Sequence, residues 1–426
     1  MRVLTIVPDL NMGGTQRVAQ NVTVSLQDQG LDVALLTTHG GGPREDILRQ
    51  RDIPVFIHGQ HEAAIDAALA WRPDIVHIHR TGHSNAAETG LLSRFKAAGA
   101  RIVETNVFAR YDGTVDPALF DAHILLSRWC YFKWSRWRGR ADSTLSVIIP
   151  NAVDVTAFTR APVDVVARVR AEFGIPEGAF VFGRIGQPDI SKWSIDTVTA
   201  FAAVAARHDD VHLVVVGLPE GLRTAVCTLP EAVRRRIVQV APVFGDQRLS
   251  EILSAFDCFL HTSLIGESFG MVLCEAMLCD VPVITLSTPY RDNSQIEVVR
   301  HLEVGIVVHN RAALVAAMES ACAGSPVYEE LRGQGREHVV HRYSTGVVGH
   351  QTLQLYELLL GQRRLDEVDQ NIIPDSSFSS LAFARNVQHI GFGRPNFIIQ
   401  IPILWLIHFR PLYELYKQLK WMIRRR

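Results

Sequence analysis

Short apolar runs alternate with helix-patterned stretches along most of this chain, and the alternation runs through twice. In the first pass the runs at 3–7, 32–37, 54–57, 74–78, 101–104, 122–126 and 146–149 read as strands, with helical spacing at 18–26 and 63–71. After the Pro150-Asn-Ala-Val-Asp154 turn and a linker helix the pattern restarts, with runs at 180–185, 212–216, 237–240, 258–261, 282–285 and 305–308. Strands this short and uniformly apolar, separated by helices, predict parallel sheets covered on both faces. The chain therefore reads as α/β, with two doubly wound Rossmann-like domains at 1–160 and 175–342 facing a cleft. Its 426 residues also exceed the roughly 250–300 that one hydrophobic core serves. Ligands of such sheets bind outside the carboxyl ends of the strands, so the loops that follow strands are where chemistry is expected.

Charge removes one class of partner. The formal net charge is -1, whereas binding to a phosphate backbone rests on a strong basic excess, so no nucleic acid is expected. The six cysteines, Cys130, Cys227, Cys258, Cys274, Cys279 and Cys322, form no C-x-x-C pair and read as reduced core residues of a cytoplasmic protein. The apolar start breaks at Pro8 and Asp9 without a small-residue cleavage site and reads as a first strand. The Asn21-Val-Thr23 sequon then lies in a helix and is not expected to carry a glycan.

The segment His261-Thr-Ser-Leu-Ile-Gly-Glu267-Ser268-Phe269-Gly270-Met-Val-Leu-Cys-Glu275 runs from a strand end through a loop into a helix. Two carboxylates eight residues apart reach roughly 12 Å or less at helical rise. That is close to the span from the sugar ring to the ribose of a nucleotide diphosphate sugar. Each carboxylate accepts several charge-assisted hydrogen bonds, and the amides of the helix start favour the phosphates between them. The plain alternative has one glutamate stabilising a helix dipole and the other on a solvent face. A second segment, Phe182-Gly-Arg184-Ile-Gly186-Gln-Pro-Asp-Ile-Ser-Lys192-Trp193, follows the first strand of the second half. Arg184 supplies a bidentate fork and Lys192 a mobile point charge, a pair suited to a diphosphate leaving group.

The first of these segments resembles the Glu-x7-Glu signature of the family-4 retaining glycosyltransferases (glycosyl transferases group 1), including the preceding Thr-Ser, the Phe-Gly turn and the following Pro-Val-Ile. The second is similar to that family's Gly-Arg…Lys-Gly element, with Trp193 where Gly is usual. The resemblance covers roughly residues 1 to 360 and implies the GT-B fold. It implies that Glu267 contacts the donor sugar, with Ser268, Phe269 and Gly270 around it, and that Glu275 binds the ribose hydroxyls. Retention of anomeric configuration and a catalytic part for Arg184, Lys192 and Glu267 are implied in the same way. The Gly13-Gly14-Thr-Gln-Arg17 loop resembles the family's Gly-Gly-x-x-Arg loop facing the donor, although an ordinary glycine turn before a helix gives the same letters. His79, on the same side of its strand as His77, is an acceptor or sugar contact by resemblance and a structural residue otherwise. After the strand at 101–104, where many relatives carry a histidine, this chain has Thr105-Asn106. Asn106 can bond a hydroxyl but cannot shuttle a proton. No Asp-x-Asp motif occurs, so no metal or other cofactor is expected and the diphosphate is left to Arg184 and Lys192. The loop from Pro289 to Glu297 touches the sugar or phosphate, or else caps a helix at Asp292 or Asn293.

Two regions mix aromatic and basic residues: Ser127 to Arg140, and a tail from 365 to 426 whose run from Phe397 to Phe409 is too interrupted to span a bilayer. Both are expected at the inner face of a membrane, the plain alternative being that the Trp-rich segment packs against the first domain and the tail along both domains; a helix at 343–364 is expected to cross back to the first domain. The function expected is transfer of a sugar from a nucleotide sugar donor to a glycan, lipid-linked or cell-envelope acceptor. Two other readings stay open, a sugar-nucleotide epimerase or phosphorylase on the same double fold and a catalytically weak sugar-nucleotide-binding protein. Oligomeric state is not readable from the sequence.

Overall fold

A computed structural model of the protein describes residues 1–59, 62–138 and 143–379, with 383, 412 and 415. The tail beyond 380 and the end of the Trp-rich segment at Arg140, both expected at a membrane, lie outside the described residues apart from those three positions.

Among the described residues the chain forms two compact units, one built from Met1–Val153 together with 343–379, the other from Asp154–Arg342. The first holds seven strands, β1 (Arg2–Val7), β2 (Asp32–Thr37), β3 (Val55–Ile57), β4 (Ile75–Arg80), β5 (Arg101–Asn106), β6 (Ala122–Leu125) and β7 (Leu145–Ile148), in the order β3-β2-β1-β4-β5-β6-β7. The second holds six, β8 (Phe180–Ile185), β9 (Val211–Val216), β10 (Ile237–Val240), β11 (Cys258–His261), β12 (Val283–Leu286) and β13 (Gly305–Val308), in the order β10-β9-β8-β11-β12-β13. Every named pairing is parallel. Each sheet is buried on both faces, which is why its strands read as unbroken apolar runs. Leu4, Ile6, Val76, Ile78 and Ile102 pack with Leu92 and Phe95 of a covering helix in the first core. Phe182, Leu213, Val215, Leu260 and Ile284 pack with Val198, Phe201 and Met318 in the second.

In both sheets the strand order reverses beside the first strand, between β1 and β4 and between β8 and β11. Loops leaving the carboxyl ends on either side of such a reversal diverge and leave a crevice. In the first unit the helix Thr345–Leu359 lies on the helix Gly14–Asp28: Ser25 Oγ donates to the Thr345 carbonyl at 2.7 Å, and a side chain at Gly349 would overlap Ser25.

Several expectations need correcting. Cys227 is exposed, at the end of the helix Glu220–Cys227 whose buried residues are Leu222 and Val226; the other cysteines are buried or half-buried. In the Trp-rich helix Arg128–Arg138, Trp129 and Trp134 are buried at 0% and 2% exposure, so these rings pack the first domain and cannot enter a headgroup layer. Among the described residues no helix is long and apolar enough to cross a membrane.

Candidate active site

A cluster of charge sits at the reversal between β8 and β11. Gly183 lets β8 pass the Phe256 ring, which any side chain there would overlap. Arg184 follows, 1% exposed. The loop after β8 closes on a short 3-10 turn, Ile190–Lys192, capped by the Asp189 carboxylate accepting from the Ser191 N–H at 2.9 Å. It is tied to the next loop by Ser194 N–H donating to the Thr262 carbonyl at 2.8 Å. The β11 loop turns through Gly266 and Gly270, at φ of +67° and +96°. Only glycine takes these values without strain, and a side chain at Gly266 would also overlap the Asp292 carbonyl oxygen.

These two loops bring Lys192 and Glu267 together, with Lys192 Nζ 3.1 Å from Glu267 Oε2. His261, the last residue of β11 and fully buried, reaches Glu267 Oε1 through Nε2 at 3.3 Å and Thr285 Oγ1 through Nδ1 at 3.0 Å. Burial by itself pushes the Glu267 carboxyl up, but the His261 hydrogen bond and the Lys192 charge outweigh it and hold the pKa at about 2. His261 is held below the usual imidazole range, by burial first and by the Arg184 charge, against the pull of Glu267. Glu267 is thus the anion of the cluster and His261 is neutral.

Arg184 differs from expectation in its direction. Its two terminal nitrogens donate to the carbonyls of Ile185 and Lys192, the latter at 2.8 Å, and its guanidinium stacks on the Trp193 ring at 4.9 Å. Burial lowers its pKa to about 10, with Glu267 working the other way. The indole fills the space beside the guanidinium, and its Nε1 donates to the Gln187 carbonyl at 2.9 Å. The fork is therefore turned onto backbone, and Arg184 contributes positive charge to the cluster rather than an outward bidentate grip.

Glu275 lies on the helix Met271–Leu278 that starts at Gly270, and is 7% exposed, which removes the reading of a glutamate on a solvent face. Phe269 is buried and anchors the turn; Ser268 beside it is half-buried. The loop from 287 to 295 does not cap its helix with Asp292 or Asn293; Arg291 in it is exposed and Asp292 half-buried. Asn293, Ser294 and Gln295 are fully buried, and Ser294, without a side-chain cap bond, precedes the helix Gln295–Val299. Gln295 Oε1 accepts the Glu267 backbone N–H at 3.0 Å, and Ser294 N–H donates to the Glu267 carbonyl at 3.0 Å.

The remaining candidates belong to the first domain. Gly13 precedes the helix Gly14–Asp28, and a side chain at Gly14 would meet nothing within 4 Å, so packing does not demand glycine there. The Arg17 N–H closes the first helical turn on the Gly13 carbonyl at 3.1 Å. His79 is 2% exposed, its pKa is lowered to about 3 by burial, and neither ring nitrogen has a partner among the described residues. His77 is fully engaged, with Thr105 Oγ1 and the Tyr356 hydroxyl each at 2.7 Å. Asn106 is the last residue of β5, and its amide is spent on Arg110, donating to the carbonyl at 2.7 Å and accepting the N–H at 3.0 Å. Both ends of the amide pin the following turn, so this structure does not present Asn106 to a sugar. Unforeseen beside it is a buried polar group: Arg80 pairs with Glu88, Glu104 and Asp112 at 3.2, 3.5 and 3.1 Å, and His123 Nδ1 lies 2.6 Å from Glu104.

Among the described residues no group of three or more His, Cys, Asp or Glu is placed to hold a metal. Sequence reasoning passed over His261, which reads as the end of an apolar strand, and Gln295, which reads as an ordinary helix residue. The one usable signal was that His261 ends the strand leading into the glutamate loop.

Residues 166–338 match the family model described as Glycosyl transferases group 1. Phosphatidyl-myo-inositol mannosyltransferase of Mycobacterium leprae (strain TN) is 29% identical over 226 residues, covering 52% of this chain and 56% of that protein. The Mycolicibacterium smegmatis (strain ATCC 700084 / mc(2)155) protein of the same name is 27% identical over 305 residues, 68% of this chain and 72% of its own. The chain thus spans little more than half of the first relative. Among solved structures, a glycosyltransferase from Rickettsia africae ESF-5 superposes with a TM-score of 0.69 at 14% identity, over 85% of this chain and 99% of that one. Anabaena HepE in complex with UDP-glucose superposes at 0.64 and 16% identity, over 83% and 99%. At these identities the likeness is one of fold.

Proposed function

The chain carries a glycosyl transferases group 1 domain, and from that premise we propose that it transfers a sugar from a nucleotide diphosphate sugar to a glycan or lipid-linked acceptor. One observation carries the reading: the ion pair of Lys192 and Glu267 stands at the strand reversal of the matched domain, where an α/β sheet takes its ligand. The two groups suit opposite parts of one molecule. Lys192 faces the diphosphate, with the buried Arg184 charge behind it, and Glu267 accepts hydrogen bonds from the sugar hydroxyls. Glu275 takes the ribose.

In the step proposed, the bond from the anomeric carbon to the phosphate oxygen breaks as the acceptor oxygen bonds the same carbon from the same face. The acceptor proton passes to the departing phosphate oxygen, and configuration is retained. Positive charge that strengthens its hold as the leaving phosphate gains charge lowers the barrier, and Lys192 and Arg184 supply it without a metal. A lipid-linked acceptor is supported by relatives named for phosphatidyl-myo-inositol, and such an acceptor would place the protein at the inner membrane face.

The test is incubation with a panel of nucleotide sugars and a membrane extract, measuring nucleoside diphosphate release and sugar incorporation. Lys192→Ala is expected to lower release about 10²–10³-fold, the scale of removing one transition-state donor, and Glu275→Ala to weaken nucleotide binding. Variants that matched the wild type in both, or an epimerised donor without transfer, would overturn the proposal.

A further inference from the structure

We propose that His261 is a positioning residue for Glu267, and that with Thr285 it sets the direction in which that carboxylate meets a donor sugar. The inference rests on the reading of Glu267 as a sugar contact. His261 and Thr285 are register partners on adjacent strands β11 and β12, so the imidazole and the hydroxyl are set side by side by the sheet itself. Thr285 is fully buried and its Oγ1 lies 3.0 Å from His261 Nδ1. An ionised carboxylate only accepts hydrogen bonds. The proton on the neutral ring therefore sits on Nε2, facing Glu267 Oε1 at 3.3 Å, and Nδ1 is a lone pair that takes the Thr285 hydroxyl proton. The sheet thus fixes the tautomer, and the tautomer fixes the carboxylate.

The arrangement divides the two oxygens of Glu267. Oε1 takes His261 and Oε2 takes Lys192 at 3.1 Å, so neither donor holds both. Each oxygen keeps further acceptor capacity, and two adjacent acceptors in a fixed plane suit two neighbouring hydroxyls of a sugar ring. Without the Nε2–H, the carboxylate is free to turn wholly onto Lys192. That would cost the site its hydroxyl acceptor and part of the charge meant for the diphosphate. The backbone of Glu267 is independently clamped by Gln295, so the loss falls on side-chain direction and leaves the loop in place.

The experiment compares His261→Ala, His261→Gln and Thr285→Val with the wild type, using UDP and UDP-glucose as probes. For His261→Ala turnover should fall on the order of tenfold or more, the scale on which outer-layer partners of a site act. UDP affinity should stay within about twofold, since the imidazole faces the sugar contact and not the nucleotide. His261→Gln carries an amide N–H to nearly the same point and should recover most of the turnover; Thr285→Val should give an intermediate loss. Equal turnover in His261→Ala and wild type would overturn the proposal, as would His261→Gln no better than alanine. A second measurement does not depend on activity: the Glu267 carboxyl, followed by carbon-13 NMR, should titrate at higher pH in His261→Ala, and an unmoved titration would also overturn the proposal. If the wild type bound no nucleotide sugar, the preceding reading would fail while this titration still decided the role of His261.

Discussion

His79 carries an unpaired cost. Its ring is buried on β4, and neither nitrogen is hydrogen-bonded among the described residues. Burial lowers its pKa from 6.5 to about 3. The folded protein therefore keeps the ring neutral while the unfolded chain protonates it, so stability is full above pH 6.5 and drains as the pH falls from there toward 3. The slope from one such proton is at most about 1.4 kcal/mol per pH unit. Replacing His79 by Leu should leave stability at pH 7 unchanged or raised, because no hydrogen bond is lost, and should flatten the acid limb of a denaturant-midpoint series. A variant with the wild-type slope would remove the ring as the cause. Loss of transfer activity in that same stable variant would separate a site role for the ring from a scaffold role.

At the scale of elements, the loop before the helix Gln295–Val299 holds the glutamate loop in place. Gln295, fully buried, accepts from Glu267 N–H and donates to the Leu286 carbonyl and Thr288 Oγ1 at 3.1 and 2.8 Å. Gln295→Leu strands several of these groups and should cost at least about 2 kcal/mol in urea unfolding, with nucleoside diphosphate release falling as well. Such positioning was not legible in the sequence, and the reason is physical. Glu267 and Lys192 announce themselves by charge at strand ends, whereas His261 and Gln295 act only through partners that the sheet brings from β12 and the next loop. The strands were legible because a sheet covered on both faces demands apolar runs whatever its order. The Trp-rich helix was misread because aromatic and basic residues on one helix serve equally to bury a face in a domain or in lipid headgroups, and burial of Trp129 and Trp134 is decided by the neighbours.

Over the whole molecule, the candidate donor-site residues fall in one unit. Lys192, Glu267, Glu275, His261 and Gln295 all belong to Asp154–Arg342. Saturating UDP should accordingly slow hydrogen exchange first in peptides covering 183–196, 258–275 and 292–297, by about 2.7 kcal/mol of protection at a hundred times Kd. Protection arising first in β1 and β2 would place the nucleotide elsewhere. The first unit has another property. Its sheet is complete by Ile148, yet the helix Gly14–Asp28 is covered by Thr345–Leu359, joined through Ser25 and closed tightly at Gly349. On the ribosome, the strands made first must wait through the synthesis of about two hundred further residues before their covering helix emerges. The domain translated second has all its own sheet by then and can fold ahead of it. Met1–Val153 is therefore left without the cover of Thr345–Leu359 until that helix has emerged.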